Sequence, residues 1–214
     1  KARSARRCNV SPMPDTSAAL LIIDVQNDFC FGGALAVPDG DRIIPSINRL
    51  LALSNKAGRP VFVSRDWHPF DSNHFREQGG QWPAHCVAET IGAAFHPELV
   101  LGPGAIVVTK GTDPGSDGYS AFDGTTPAGI PLEAALRSLN LRNLVVCGLA
   151  TDYCVRESVL DARQFGFGVS LVKDAIAAVN LTAGDGDKAI NTMQTVGANI
   201  VLTADALQLL NCDD

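Results

Sequence analysis

Six short apolar runs recur along the chain, and most of the segments between them carry apolar residues at helical spacing. The first, Ala18-Ala19-Leu20-Leu21-Ile22-Ile23, is unbroken, which marks a strand covered on both faces. After Asp39, the residues Ile43, Ile47, Leu50 and Leu51 form the stripe of an amphipathic helix, closed by Gly58 before Pro60. Val61-Phe62-Val63 and Ile106-Val107-Val108 read as the second and third strands. Pro131 opens a helix carrying Leu132, Ala135, Leu136 and Leu139, and Leu144-Val145-Val146-Cys147 is the fourth strand. From Thr151 a helix packs through Val155, Val159 and Ala162. A fifth strand at 168–172, a helix around 185–196, a sixth strand at 199–202 and a helix near 204–211 complete the pattern.

Strands and helices alternating in this way predict a three-layer α/β/α fold around a six-stranded, largely parallel sheet. It forms one domain over residues 18–214, behind a basic, flexible lead at 1–17. Two stretches break the economy of the pattern: 66–104 and 110–130, rich in Gly, Pro, His and Asp. Connections in α/β units usually run to ~2–6 residues. Both long stretches leave from the carboxyl ends of strands, where open parallel sheets bind ligands.

Charge narrows the partners. The chain carries a net −6, and Lys1, Arg3, Arg6 and Arg7 sit in the lead, leaving −10 on the rest. That balance offers no basic face for nucleic acid. No apolar run approaches the ~20 residues needed to cross a bilayer, and the chain begins without a signal-like apolar block. The six cysteines (8, 30, 86, 147, 154 and 212) show no disulfide spacing, and Cys147 reads as a core filler. A reducing cytoplasm is the expected setting, which keeps Cys154 free. Pairing of subunits through the helical faces stays open.

Three candidates for chemistry come from one edge of the sheet. Asp24 follows the first strand, Lys110 follows the third, and Cys154 starts the helix after the fourth. A thiol at a helix start faces unpaired peptide N–H groups, which favours a thiolate nucleophile. Asp24 can take the thiol proton and return it to a leaving amine, while Lys110 offsets negative charge. Backbone N–H groups at Ala150 and Cys154 can receive the oxyanion of a tetrahedral intermediate.

A second cluster lies in the first long stretch. Asp66 and His68, two residues apart on an extended segment, point to one side; His74 and His85 follow within 18 residues of His68. Imidazoles with a carboxylate suit a divalent transition metal: zinc first, with iron and manganese as alternatives. Asp66, His68 and His85 rank as ligands and His74 as a fourth; Cys86 points the other way, and His96 reads as structural. Phe29, Trp82 and Tyr119 flank these loops and can wall a flat aromatic substrate.

The blocks Asp24-Val25-Gln26-Asn27-Asp28-Phe29, Asp66-Trp67-His68-Pro69, Trp82-Pro83-Ala84-His85-Cys86, Lys110-Gly111-Thr112-Asp113, Tyr119-Ser120-Ala121-Phe122 and Gly148-Leu149-Ala150-Thr151-Asp152-Tyr153-Cys154-Val155 resemble, in order and spacing, the nicotinamidase/pyrazinamidase family of isochorismatase-like cysteine hydrolases. The resemblance implies a triad of Cys154, Asp24 and Lys110, a metal held by Asp66, His68 and His85, and a pyridine ring between Phe29 and Trp82 with Tyr119 close by. It also implies a cis peptide at Leu149–Ala150, and hydrolysis of nicotinamide, with pyrazinamide as a further substrate, to the acid and ammonia. An amidase acting on carbamoyl, ureide or aliphatic amides is the nearest rival. An isochorismatase proper needs no cysteine, and a binding protein with a relic pocket would release no ammonia.

Overall fold

The computed structural model describes residues 18–211; the basic lead, Cys8 and Cys212 lie outside them. Six strands, β1 (Ala18–Ile23), β2 (Val61–Asp66), β3 (Ile106–Lys110), β4 (Asn143–Leu149), β5 (Gly168–Ala177) and β6 (Asn199–Val201), form one sheet in the order β3-β2-β1-β4-β5-β6. Every strand pair in it is parallel. The helices are α1 (Ile44–Lys56), α2 (Leu132–Ser138), α3 (Arg156–Gln164), α4 (Asp185–Thr195) and α5 (Thr203–Leu210).

Alternate residues of β1 feed two separate cores. Leu20 and Ile22 pack with Ile47, Leu50 and Leu51 of α1 and with Ala206 and Leu210 of α5. Ala19, Leu21 and Ile23 pack with Leu132 and Leu136 of α2, Val159 and Ala162 of α3, and Ala189 and Met193 of α4. The unbroken apolar run is thus a strand with a helical layer on each face, as expected. Each of the buried Leu, Ile, Val and Met side chains contributes roughly 1.5–3 kcal/mol, so truncating Leu50 to alanine would cost about 2–5 kcal/mol. No helix among the described residues is long and apolar enough to cross a membrane.

Three boundaries differ from the sequence pattern, each for a local reason. The helix expected after Asp39 starts as a 3-10 turn at Gly40–Ile43 and becomes α-helical only at Ile44. Pro45 has no N–H and is tolerated only in a first turn, which sets the onset. β5 continues to Ala177, past the exposed pair Lys173 and Asp174 that ends the apolar run. Asp174 accepts hydrogen bonds from the N–H and Oγ1 of Thr203 at 2.7 and 2.9 Å, tying β5 to the start of α5. The segment at Thr151 is a π turn, Thr151–Val155, that runs into α3.

The strand order decides where a site can form. The chain steps outward from β1 to β2 and β3, then returns to β4 on the other side of β1. Loops leaving β1 and β4 at their carboxyl ends therefore diverge and leave a crevice. Asp24 lies at one side of that crevice and Cys154 at the other.

Candidate active site

Asp24 directly follows β1 with φ +46°, a left-handed backbone that ends the strand. Lys110 ends β3 opposite Asp66 in the β2–β3 register. Its side chain crosses the end of β2 to reach β1 and β4, and is fully buried. The ammonium donates to Asp66 Oδ1 at 2.5 Å, to the Gly118 carbonyl at 2.9 Å and to Cys154 Sγ at 3.5 Å. Asp24 Oδ2 lies 2.8 Å from the same ammonium as a buried ion-pair partner, so the three ammonium hydrogens face four acceptors. The other oxygen of Asp24 accepts from Ser64 Oγ at 2.7 Å. Donor atoms of Asp24, Asp66 and Cys154 all lie within 4.8 Å of one another.

Electrostatics here departs from the expectation for a helix-start thiol. Burial pushes the Cys154 thiol well above its ordinary value; Lys110 opposes this, while Asp24 and Asp66 add to it. The resting sulfur is therefore protonated and depends on a base. Burial also raises the Asp24 carboxyl, against the pull of Lys110. For Asp66 burial raises, but Lys110 and His68 prevail and hold the group well below the usual carboxylate range. Burial would lower Lys110; Asp24, Asp66 and Cys154 together raise it instead. One fixed cation thus faces two carboxyls and a thiol, and of the two carboxyls Asp66 holds its charge the more strongly.

The peptide Leu149–Ala150 is cis. The Ala150 carbonyl accepts the N–H groups of Tyr153 and Val155, both at 3.1 Å, which tightens the turn carrying Cys154. Ala150 and Cys154 both line the pocket. Asp152 accepts the N–H groups of Val179 and Asn180 at 2.9 and 2.8 Å, joining this turn to the segment after β5.

Beside Asp24, Lys110 and Cys154, the histidines His68, His74 and His85 bring one nitrogen each within 4.8 Å of the others. Their rings contact one another: His68 stacks on His74 at 4.9 Å, and His85 lies 5.3 and 5.4 Å from the two. Both nitrogens of buried His68 lack a hydrogen-bond partner. His85 donates from Nδ1 to the Pro83 carbonyl at 2.8 Å, so its Nε2 keeps a lone pair. Burial pushes His85 down to about 4 and lowers His74 as well, so these rings are neutral at pH 7. Three converging imidazoles, each bringing one nitrogen toward the others, fit a divalent transition metal. Asp66 borders both clusters, with Oδ2 3.7 Å from His68 Nε2.

The pocket between the clusters has Phe29, Trp82 and Tyr119 in its wall. Trp82 donates from Nε1 to the Tyr119 hydroxyl at 3.0 Å. Cys86 is buried in the apolar core and its sulfur is not among the converging atoms of the histidine group, and His96 uses Nδ1 to accept the Glu98 N–H at 3.2 Å. All four described cysteines outside disulfides, 30, 86, 147 and 154, are buried.

Sequence reasoning missed several participants. Leu35, Tyr153 and Val179 also line the pocket. Tyr153 meets the Trp82 ring edge-on at 4.9 Å, and only its place before Cys154 signalled it. Gln26 donates to the carbonyls of Asp66 and Ala93, and accepts the Asp66 N–H, each at 2.8 Å. That amide is a clamp between the ends of β1 and β2. Ser64 looked like a polar residue within a strand; nothing local marked it as the partner of Asp24.

Residues 18–205 match the family model described as Isochorismatase domain. The chain is 40% identical over 203 residues to a protein named nicotinamidase from Escherichia coli K12, covering 87% of this chain and 95% of that one. It is 36% identical to the nicotinamidase/pyrazinamidase of Mycobacterium tuberculosis, covering 87% of this chain and 99% of that one. Among solved structures, the pyrazinamidase of Pyrococcus horikoshii in complex with zinc superimposes with a TM-score of 0.80 at 39% identity. That superposition covers 87% of this chain and 99% of the other.

Proposed function

This chain belongs to the isochorismatase domain family, and we propose that it is a nicotinamide amidohydrolase that works through a cysteine thioester. The observation that carries the reading is Lys110 Nζ within 3.5 Å of both Cys154 Sγ and Asp24 Oδ2, beside a histidine cluster and an aromatic-walled pocket. An acid, an amine and a thiol alone would suit many amides. Flat aromatic walls next to a metal-ready cluster favour a ring that carries its own lone pair.

In this mechanism nicotinamide lies between Phe29 and Trp82 with its carboxamide over Cys154. Asp24 Oδ2 takes the thiol proton, and Sγ attacks the carboxamide carbon. Peptide N–H groups at Ala150 and Cys154 receive the oxyanion. Collapse breaks the C–N bond as Asp24 returns the proton, releasing ammonia and leaving a thioester. Asp24 then deprotonates water, which attacks the thioester carbonyl and frees nicotinate, and the sulfur regains the proton. Lys110 stays charged throughout, so negative charge passing between Asp24 and Cys154 always faces the same cation.

His68, His74, His85 and Asp66 would hold the metal, with zinc the first choice for this donor set. When bound, it supplies positive charge that orients the ring and draws electron density from it. Pyrazinamide, a ring of the same shape with the same amide, is a further substrate. The buried free cysteines suit a reducing compartment such as the cytoplasm.

The test is ammonia release from nicotinamide, pyrazinamide, benzamide, small aliphatic amides and ureides, with metal analysis on the same preparation. The reading requires fast release from the pyridine and pyrazine amides and about one metal ion per chain. Turnover confined to aliphatic amides or ureides would replace it with the rival amidase.

A further inference from the structure

His74 owes its place in the cluster to a residue outside the pocket. Asp117 sits in the segment 111–118 after β3, with its side chain 68% exposed, and its Oδ1 lies 3.0 Å from His74 Nδ1. A carboxylate only accepts, so Nδ1 carries the hydrogen and Nε2 keeps its lone pair. His85 reaches the same tautomer through the Pro83 carbonyl.

The loop is built to hold that carboxylate in place. At its neck, Lys110 Nζ donates to the Gly118 carbonyl at 2.9 Å. Gly111 and Gly118 both have positive φ, +67° and +60°, and a Cβ on Gly118 would come within 2.6 Å of Gly111 Cα. A Cβ on Gly111 would meet the His68 ring at 2.7 Å, so the neck closes only with glycine at both positions. At the tip, the Asn73 N–H donates to the Pro114 carbonyl at 2.9 Å, one residue before His74. Ser116 Oγ accepts the Gly118 N–H at 3.3 Å. Asp117 is thus pinned between Lys110 and the backbone next to His74.

We infer that Asp117 is a positioning residue that makes His74 a metal ligand by fixing its tautomer and ring orientation, so the 111–118 loop belongs to the metal site. The inference rests on the metal reading given above and adds one residue to it. Partners of this kind typically change metal affinity about 10- to 100-fold. Solvent screens the exposed Asp117, which places it near the lower end.

Zinc affinity, measured by competition with a chromophoric chelator, tests this on the full chain and on Asp117→Ala, Asp117→Asn, His74→Ala and the double variant His74→Ala/Asp117→Ala. Asp117→Ala should bind zinc about tenfold more weakly than the unsubstituted chain. Asp117→Asn keeps an accepting oxygen without the charge and should fall between the two. In the His74→Ala background, Asp117→Ala should have no further effect, because its only route to the metal is gone. Asp117→Ala binding as tightly as the unsubstituted chain would overturn the inference and leave the metal reading intact. An equal loss with and without His74 would also overturn it, by showing a general effect of the loop. An unsubstituted chain that takes up no zinc, iron or manganese would sink the metal reading itself, and this inference with it.

Discussion

Lys110 Nζ lies 2.8 Å from Asp24 Oδ2 with both side chains fully buried, a cation and a carboxyl paired out of reach of water. The ammonium also meets Asp66, Gly118 and Cys154, so four acceptors share three hydrogens. Asp24 thereby gains electrostatic support at one oxygen, while its other oxygen is held by the Ser64 hydroxyl at 2.7 Å.

Cys154→Ala should keep the fold and ring binding while turnover falls by about 10⁴-fold or more, as for loss of other nucleophiles. Titration calorimetry with nicotinamide and ammonia release on the same sample would check it. Turnover within tenfold of the unsubstituted chain would remove the cysteine from the mechanism.

Ser64→Ala should lower kcat about 10- to 100-fold with little change in KM. The lost hydrogen bond to a charged acceptor corresponds to roughly 1.5–3 kcal/mol, and it orients Asp24 without touching the ring. A rise in KM at constant kcat would place Ser64 in substrate binding instead.

Lys110→Met should destabilise the fold by about 3–5 kcal/mol, because it leaves the buried Asp24 and Asp66 carboxyls facing each other without a cation. Urea unfolding of the variant measures this directly. A loss below about 1 kcal/mol would mean that water reaches the site and screens it.

His68→Ala should abolish stoichiometric metal uptake and weaken nicotinamide capture, whereas His96→Ala should leave metal content unchanged. His68 has both nitrogens unpartnered in the cluster, while His96 already uses Nδ1 to accept from Glu98. Metal analysis of the purified variants decides it, and a full metal equivalent in His68→Ala would exclude that ligand.

Much of this molecule was written locally. The apolar run at 18–23, the stripe Ile47, Leu50 and Leu51, and the stripe Val155, Val159 and Ala162 each report burial of one element, and the folded chain buries them all. Asp24, Lys110 and Cys154 were legible because a parallel sheet places every strand's carboxyl end at one edge. The helix onset at Pro45 was legible in principle, since the constraint is in the proline itself. The continuation of β5 past Lys173 and Asp174 was not, because those side chains interrupt the alternation while the backbone goes on pairing.

By itself, then, the sequence determined the layers of the fold, the sheet edge where the candidate residues gather and the residue types found there, since periodicity and strand ends are properties of neighbouring residues. Only the tertiary structure decided that Lys110 faces Asp24, Asp66 and Cys154 at once, that Ser64 bonds Asp24, and that Asp117 reaches His74. Those pairs lie 40 or more residues apart. A side chain's charge state and tautomer depend on the atoms within a few ångströms, and here most of those atoms come from other strands and loops.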